Sequence, residues 1–258
     1  MLKMDHNYNT ETRGDNLMRR KPVHINAQSS DVASLAIIMG DPGRAEALSR
    51  ELEEARLVNK KRGYVIYTGK YRGSPVTVAS HGIGGPSMLI LVEELFMLGT
   101  KTFVRLGTAG SLNNNVLVGD LVLASGASYL PGTCGLSLYY DKVPPSTSAD
   151  PSLLWQVYKR LEVEDFKTHI GPVFCSDSFY GENPDILSEA SRLGALAVEM
   201  ETAALYGVQH IRGYRSLSIL IIANNPLDKN EKFLEPDMVN DIARRVFRIL
   251  LDALVKKI

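Results

Sequence analysis

Two glutamates, Glu199 and Glu201, stand two residues apart in ALAVEMETAALY (195–206), a run that is otherwise almost wholly apolar. An unpartnered carboxylate in such surroundings is destabilising by roughly several kcal/mol, so a pair retained there points to something they hold. In a helix, residues two apart point in different directions, whereas in an extended segment they share a face. LAVEMETAAL reads as a strand that turns helical in its middle, a geometry able to aim side chains into a pocket. Basic residues supply the complement. Three glycine-bearing stretches follow apolar runs, GDPGR (40–44), HGIGGPS (81–87) and RLGTAGSL (105–112), and two of them carry an arginine, Arg44 and Arg105. A glycine turn brings backbone N–H groups together, and a guanidinium binds phosphate through two parallel hydrogen bonds. These residue types suit the gripping of an oxyanion.

Blander readings stand beside that one. HGIGGPS lacks the third glycine and the following acidic residue of a dinucleotide fingerprint, and no Walker A sequence occurs. Arg44, near a helix start, is by type a solvated surface residue. Arg105 ends the apolar strand TFVRLGTAG, where a charge needs an anionic partner. Glu199 and Glu201 could also pair with buried arginines as structure alone. The five histidines, His6, His24, His81, His169 and His210, show no ligand spacing, so no metal site is expected.

The elements that must position these residues alternate between strand and helix. Strands are expected at 34–40, 63–71, 75–82, 101–107, 120–128, near 168–175 and at 216–223. Helices are expected after GDPGR, over 86–99 with a stop at Gly99, near 151–161, from about 200 to 211 and from about 236 onward. This alternation predicts a single α/β domain with a largely parallel or mixed central sheet. The longest irregular stretch, 130–151, reads as a surface loop. Residues 1–20 read as a disordered extension, with Met18 an alternative start, leaving 21–258 as the domain. Twenty-nine basic residues balance 29 acidic ones, which argues against a nucleic-acid or membrane-surface partner. Cys134 and Cys175 fit neither a disulfide scaffold nor a zinc site, and a reducing cytosol is the expected compartment.

In chain order, PVHINA, GDPGR, NKKRGYVIYTGKYRG, HGIGGPS, VRLGTAGSL, CSDSFY and VEMETAALY together resemble the nucleoside phosphorylase-I family. That family includes hexameric purine nucleoside phosphorylases, uridine phosphorylases and archaeal methylthioadenosine phosphorylases. The resemblance implies a mixed, partly barrel-like sheet flanked by helices. It also implies reversible phosphorolysis, in which a nucleoside and inorganic phosphate give a free base and a pentose 1-phosphate. Phosphate is a co-substrate, and no organic cofactor is needed. A phosphate held beneath C1′ stabilises the oxocarbenium-like sugar and attacks it, so positioning and electrostatics carry the rate.

By the same resemblance, the Gly40 N–H, Arg44, Arg105 and Thr108 would cradle phosphate, with Arg62 donated by a neighbouring subunit. His24 would cross that interface to the 5′ end of the sugar, although read alone it is a structural histidine. A dimer would then be the minimal active unit and a hexamer the expected assembly. Glu201 would accept from the 2′ and 3′ hydroxyls, Met200 would pack on the sugar, and Glu199 would orient the site or reach the 2′ hydroxyl. Ala109, Gly110 and Phe179 would meet the base. Where a uridine phosphorylase carries a glutamine and an arginine after this phenylalanine, Asn183 and Asp185 stand instead. Where the hexameric purine enzymes carry an aspartate that protonates purine N7, Asn224 stands. An amide cannot act as a general acid, but it can donate a hydrogen bond to a departing base. The family's helper arginine has no counterpart beyond Lys232. The expectation is a phosphorylase preferring 6-oxopurine nucleosides. Uridine or methylthioadenosine phosphorylase, a nucleosidase and a non-catalytic binding protein are the alternatives.

Overall fold

The computed structural model describes residues 21–255, so the expectations for residues 1–20 lie outside the described residues. Apolar, β-branched runs form strands β1 (Leu35–Met39), β4 (Ser74–Ser80) and β5 (Thr102–Ser111). β1 lies between the other two, parallel to both, and is almost wholly buried, as expected of a parallel strand covered on both faces. β3 (Ile66–Tyr71) joins β4 through a two-residue hairpin in which Arg72 and Gly73 both have positive φ, 49° and 77°. β2 (Glu53–Asn59) completes that edge antiparallel to β3.

The second half of the chain adds β6 (Leu121–Tyr129), β7 (Thr168–Cys175), β8 (Ala197–Glu199) and β9 (Arg215–Asn224). The nine strands run in the order β2-β3-β4-β1-β5-β8-β7-β6-β9, and a further β5–β9 pairing closes the last five into a ring. The sheet is therefore open at one side and barrel-like at the other, with β5 belonging to both. Helices flank it: α1 (Pro42–Ser49), α2 (Gly85–Leu98), α3 (Pro151–Leu161), α4 (Pro184–Arg192), α5 (Thr202–Arg212) and α6 (Pro236–Leu254). Four of the six, α1, α3, α4 and α6, begin with proline, whose missing N–H is harmless at that position.

The structure departs from the sequence reading at several elements. β2 is charged and exposed over most of its length, so it offers no apolar alternation to detect. The stretch RLGTAGSL continues β5 to Ser111 and is not a loop after it. α4 follows Asn183, whose side-chain oxygen caps it by accepting from the Asp185 N–H at 2.9 Å. The stretch 130–151 is only partly superficial: Leu138 and Val143 are exposed, but Cys134, Leu136 and Ala149 are buried in the core. Cys134 and Cys175 are both buried thiols, with their sulfurs 2.9 Å apart.

Tyr206 on α5 fastens the ring from inside. Its hydroxyl donates to the Ala124 carbonyl of β6 at 2.6 Å and accepts from the Ser218 N–H of β9 at 2.8 Å. The side chain is wholly buried, so no bulk solvent can replace these bonds. Tyr206→Phe keeps the ring's packing but orphans one carbonyl and one N–H. We expect a loss of about 2 kcal/mol in urea unfolding, with native circular dichroism before the transition. Unchanged stability would show that the hydroxyl does not tie the two strands.

Candidate active site

β1, β4, β5 and β9 run in one direction, because β1 is parallel to β4 and β5, and β5 is parallel to β9. Their carboxyl ends gather Gly40, Gly82, the Thr108–Gly110 stretch and Asn224 around one cavity, the place where open α/β sheets collect ligands. Its volume is about 740 Å³. The wall includes Gly40, Arg44, Arg105, Thr108, Ala109, Gly110, Phe179, Glu199, Met200, Glu201 and Asn224. The structure thus brings these eleven residues, singled out in the sequence, to one surface.

Arg105 is the centre of that wall. Only 3% of it is exposed, and its Nη1 lies 3.0 Å from Glu199 Oε2 while Nη2 bonds Glu201 Oε2. Burial opposes the guanidinium's charge, but Glu201 and Glu199 outweigh it and hold its pKa above the ordinary value. Nε and Nη1 are enclosed and make no hydrogen bond of normal geometry, Nη1 being held to Glu199 as an ion pair. Gly107 makes the arrangement possible. A Cβ there would lie 2.7 Å from Nη1 and 2.8 Å from Cζ, so the guanidinium folds back over a strand residue that has no side chain.

The two glutamates divide their work. Glu199 ends β8 and accepts from the backbone N–H groups of Glu201 (2.9 Å) and Thr202 (2.9 Å), which secures the start of α5. Burial lifts its pKa, with Arg105 opposing. Glu201 sits just before α5 in non-helical conformation (φ −141°), and its Oε1 accepts the Gly84 N–H at 2.6 Å. Gly84 can present that N–H because its φ of +89° is open to glycine. Burial pushes Glu201 up, but Arg105, His81 and the Gly84 N–H bring it below the usual range. Each Glu201 oxygen retains a lone pair for a further donor.

Arg44, on the first turn of α1, faces the same cavity. Its backbone N–H is capped by Asp41 Oδ1 at 3.3 Å, and Asp41 Oδ2 lies 4.0 Å from its Nη2. Burial lowers its pKa, with Asp41 opposing. At the other end, Ala223 is bulged out of the β5–β9 register, which turns Asn224 inward. Asn224 Nδ2 donates to Glu231 Oε1 at 2.5 Å, and a Cβ on Gly110 would lie 3.2 Å from Asn224 Oδ1. An amide beside a carboxylate must turn its NH2 toward it, so Glu231 fixes which way Asn224 faces.

Sequence reasoning missed Glu182, Phe233 and Glu231. Glu182 and Phe233 line the cavity, and the Phe233 ring stands 6.5 Å from that of Phe179. Burial, then Glu231, raises the Glu182 pKa. An isolated aromatic in the polar stretch KNEKFLEPD was the one available signal for Phe233. Lys232 is exposed and does not line the cavity, so the partner that meets Asn224 is acidic.

His24 and Arg62 do not line this cavity. His24 Nδ1 bonds Glu94 Oε1 at 2.7 Å, and Arg62 lies exposed in a short turn with φ 56°. The two segments abut: the Lys61 ammonium donates to the Val23 carbonyl at 2.9 Å, and the His24 and Tyr64 rings meet edge-on at 6.5 Å.

A partly ring-closed mixed sheet thus gathers a buried arginine and two carboxylates onto one cavity at its strand ends, the framework of an α/β ligand-binding enzyme. A family model described as the phosphorylase superfamily matches residues 34–256, and the chain belongs to that family. A guanosine phosphorylase of Halorubrum lacusprofundi is 34% identical over 241 residues, covering 92% of this chain and 98% of the relative. A DeoD-type purine nucleoside phosphorylase of Jannaschia sp. is 37% identical over 207 residues, 80% of this chain and 88% of the relative. A uridine phosphorylase of Treponema pallidum is 33% identical over 243 residues, 89% of this chain and 92% of the relative. The crystal structure of a Vibrio fischeri uridine phosphorylase matches with a TM-score of 0.80 at 30% identity, covering 92% of this chain and 98% of that one. The protein is an enzyme, a nucleoside phosphorylase acting on a nucleoside and phosphate.

Gly107→Ala tests the folded-back guanidinium. The added methyl must displace Arg105, and misplacing such a group by about 1 Å lowers kcat/KM by about 100-fold. We expect that loss in phosphorolysis assays, with native circular dichroism retained. Activity within a few-fold of the parent would mean that the guanidinium's position over Gly107 is not used.

Proposed function

We propose that the protein cleaves 6-oxopurine nucleosides by phosphate, releasing the base and a pentose 1-phosphate. The observation that carries this reading is one cavity in which Arg44, Arg105 and Thr108 adjoin Glu201 at one end and an amide, Asn224, stands at the other. In this reading, the Gly40 N–H, Arg44, Thr108 and Arg105 hold phosphate. Glu201 takes the 2′ and 3′ hydroxyls on its remaining lone pairs, and Met200 packs on the sugar. Glu199 holds Arg105 and the start of α5 in place. As the glycosidic bond stretches, the developing positive charge lies between the phosphate and the Glu201 carboxylate, both of which stabilise it.

The base lies between Ala109 and Gly110 on one side and Phe179 and Phe233 on the other. Asn224 cannot deliver a proton, so the base must leave carrying negative charge, eased by hydrogen bonds from the amide. A 6-oxopurine bears that charge better than adenine does. The guanosine phosphorylase among the relatives supports the same preference. A uracil clamp has no support at the expected positions: Asn183 is occupied in capping α4, and Asp185 is exposed and acidic. The arginines favour phosphate over water as the nucleophile.

His24 and Arg62, adjoining each other away from their own cavity, are read as donors to a neighbouring subunit's site. A dimer is then the smallest active unit, a hexamer the fuller assembly, and the cytoplasm the compartment.

A nucleoside panel assayed with and without phosphate tests the substrate reading. Base release is expected only with phosphate, and faster from inosine or guanosine than from adenosine, methylthioadenosine or uridine. Release without phosphate, or adenosine outpacing inosine, would sink it. Asn224→Asp restores a titrating acid and should raise the adenosine-to-inosine ratio of kcat/KM about tenfold or more.

Shared sites have their own signature. Arg62→Ala and Asn224→Ala proteins, each weakly active alone, should recover activity when unfolded and refolded together. Random pairing in a two-fold dimer leaves about a quarter of the sites whole. No recovery in mixed oligomers shown to form would exclude donation of Arg62 across an interface.

A further inference from the structure

His81 follows β4 at the back of the cavity and is 0% exposed, yet neither of its ring nitrogens makes a hydrogen bond. Its backbone is fully used: the N–H donates to the Met39 carbonyl at 2.8 Å, and the carbonyl accepts from Ser87 Oγ at 2.6 Å. The ring stands directly behind Gly40, where a Cβ would lie 3.8 Å from His81 Cε1 and 3.0 Å from the Gly82 carbonyl oxygen. The backbones of Gly40 and Gly82, both on the cavity wall, thus stand between the imidazole and the cavity. An orphaned, buried polar group is costly, and such groups in native proteins have a task.

The surrounding charges indicate the task. From β5, Arg105 contributes one positive charge; from β8 and the start of α5, Glu199 and Glu201 contribute two negative ones. Glu199 pairs with Arg105 at 3.0 Å, shares the Thr202 N–H between its two oxygens and accepts the Glu201 N–H on Oε2, the contacts of an ionised carboxylate. On α1, Asp41 and Arg44 lie 4.0 Å apart and cancel. With a neutral His81 the empty site carries a net charge of about minus one from these groups, and a phosphate dianion must enter beside it.

We propose that His81 takes up a proton from solvent when the oxyanion binds, and returns it when the phosphate product leaves, so that the anion meets a site neutralised on demand. This inference rests on the reading of the Arg44–Arg105 end as the phosphate site and goes beyond it, because His81 does not line the cavity. No covalent bond is made or broken at the ring, and the proton balances against bulk solvent. In the empty protein, burial holds the His81 pKa down to about 4, with Glu201 and the nearby Gly82 backbone opposing and Arg105 adding to it, so the ring is neutral at pH 6–7. A bound dianion a few ångströms away favours the imidazolium. Both ring N–H groups then gain the charge that makes the nearby Glu201 carboxylate and the anion attractive rather than repelling. His81 acts through the anion's neighbourhood and is a positioning residue.

Sulfate is the probe, because it stays a dianion where phosphate itself titrates. Calorimetric binding to the full-length oligomer in buffers of different ionisation enthalpy should report uptake of about half to one proton per sulfate at pH 6. Affinity should fall up to about tenfold per pH unit between the free-state pKa of about 4 and the bound-state pKa, and level off above it. In His81→Asn, uptake should vanish and the affinity should become flat with pH. Sulfate binding without proton uptake, or uptake undiminished in the variant, overturns the proposal. The parent protein supplies a check independent of the variant's folding: the titration midpoint of the His81 Cε1–H resonance must rise on sulfate saturation, and an unmoved midpoint overturns it too. Absence of any sulfate binding would instead remove the phosphate-site reading, and this inference with it.

Discussion

A single guanidinium shared by two buried carboxylates organises this protein. Arg105 lies on β5, the strand common to the open sheet and the closed ring, and it links β8 through Glu199 to the start of α5 through Glu201. Breaking such a buried cluster by removing one member leaves an uncompensated charge, worth about 3–5 kcal/mol. The same cluster is therefore structural and poised for chemistry. All three of its members line the cavity, and lone pairs on Glu201 remain unused.

The neighbouring features follow from the need to seat that cluster. Gly107 leaves the space into which the guanidinium folds, Gly84 turns an N–H onto Glu201, and Glu199 secures the backbone that carries Glu201. The parallel run of β1, β4, β5 and β9 brings their ends to the same rim. At the opposite end a bulge at Ala223 aims Asn224, and Glu231 sets the direction of its amide. Electrostatics dominates one end of the cavity and aromatic packing the other.

Much of this was legible in the sequence because it is local. Apolar runs of strand length, proline-led helices and glycine stretches after apolar runs were enough for an α/β fold. Two glutamates in an apolar run, with Arg105 ending an apolar strand, marked the cluster's members. What could not be read was their mutual arrangement: whether the glutamates serve a ligand or an arginine is a false choice, since Arg105 holds both on the cavity wall. β2 escaped because an exposed edge strand carries no apolar period, and the extension of β5 to Ser111 escaped because glycines in RLGTAGSL imitate a loop. Glu182, Glu231 and Phe233 become neighbours of the site only through tertiary packing, from polar stretches without periodicity. His81 was visible as one of five histidines, but nothing in its spacing distinguishes a solvated ring from one sealed behind a glycine.

The placement of β5 also bears on how such a protein can change. Its two pairing partners in the ring, β8 and β9, fix the Arg105–Glu199 wall of the cavity through the sheet itself. Phe179, Glu182, Pro226 and Phe233 reach the other part of the cavity from segments outside the strands, beside Ala109 and Gly110 of β5 and Asn224 of β9. Substitutions at those loop positions leave the strand pairings untouched, so part of the cavity lining can be remodelled while the buried charge cluster is inherited unaltered.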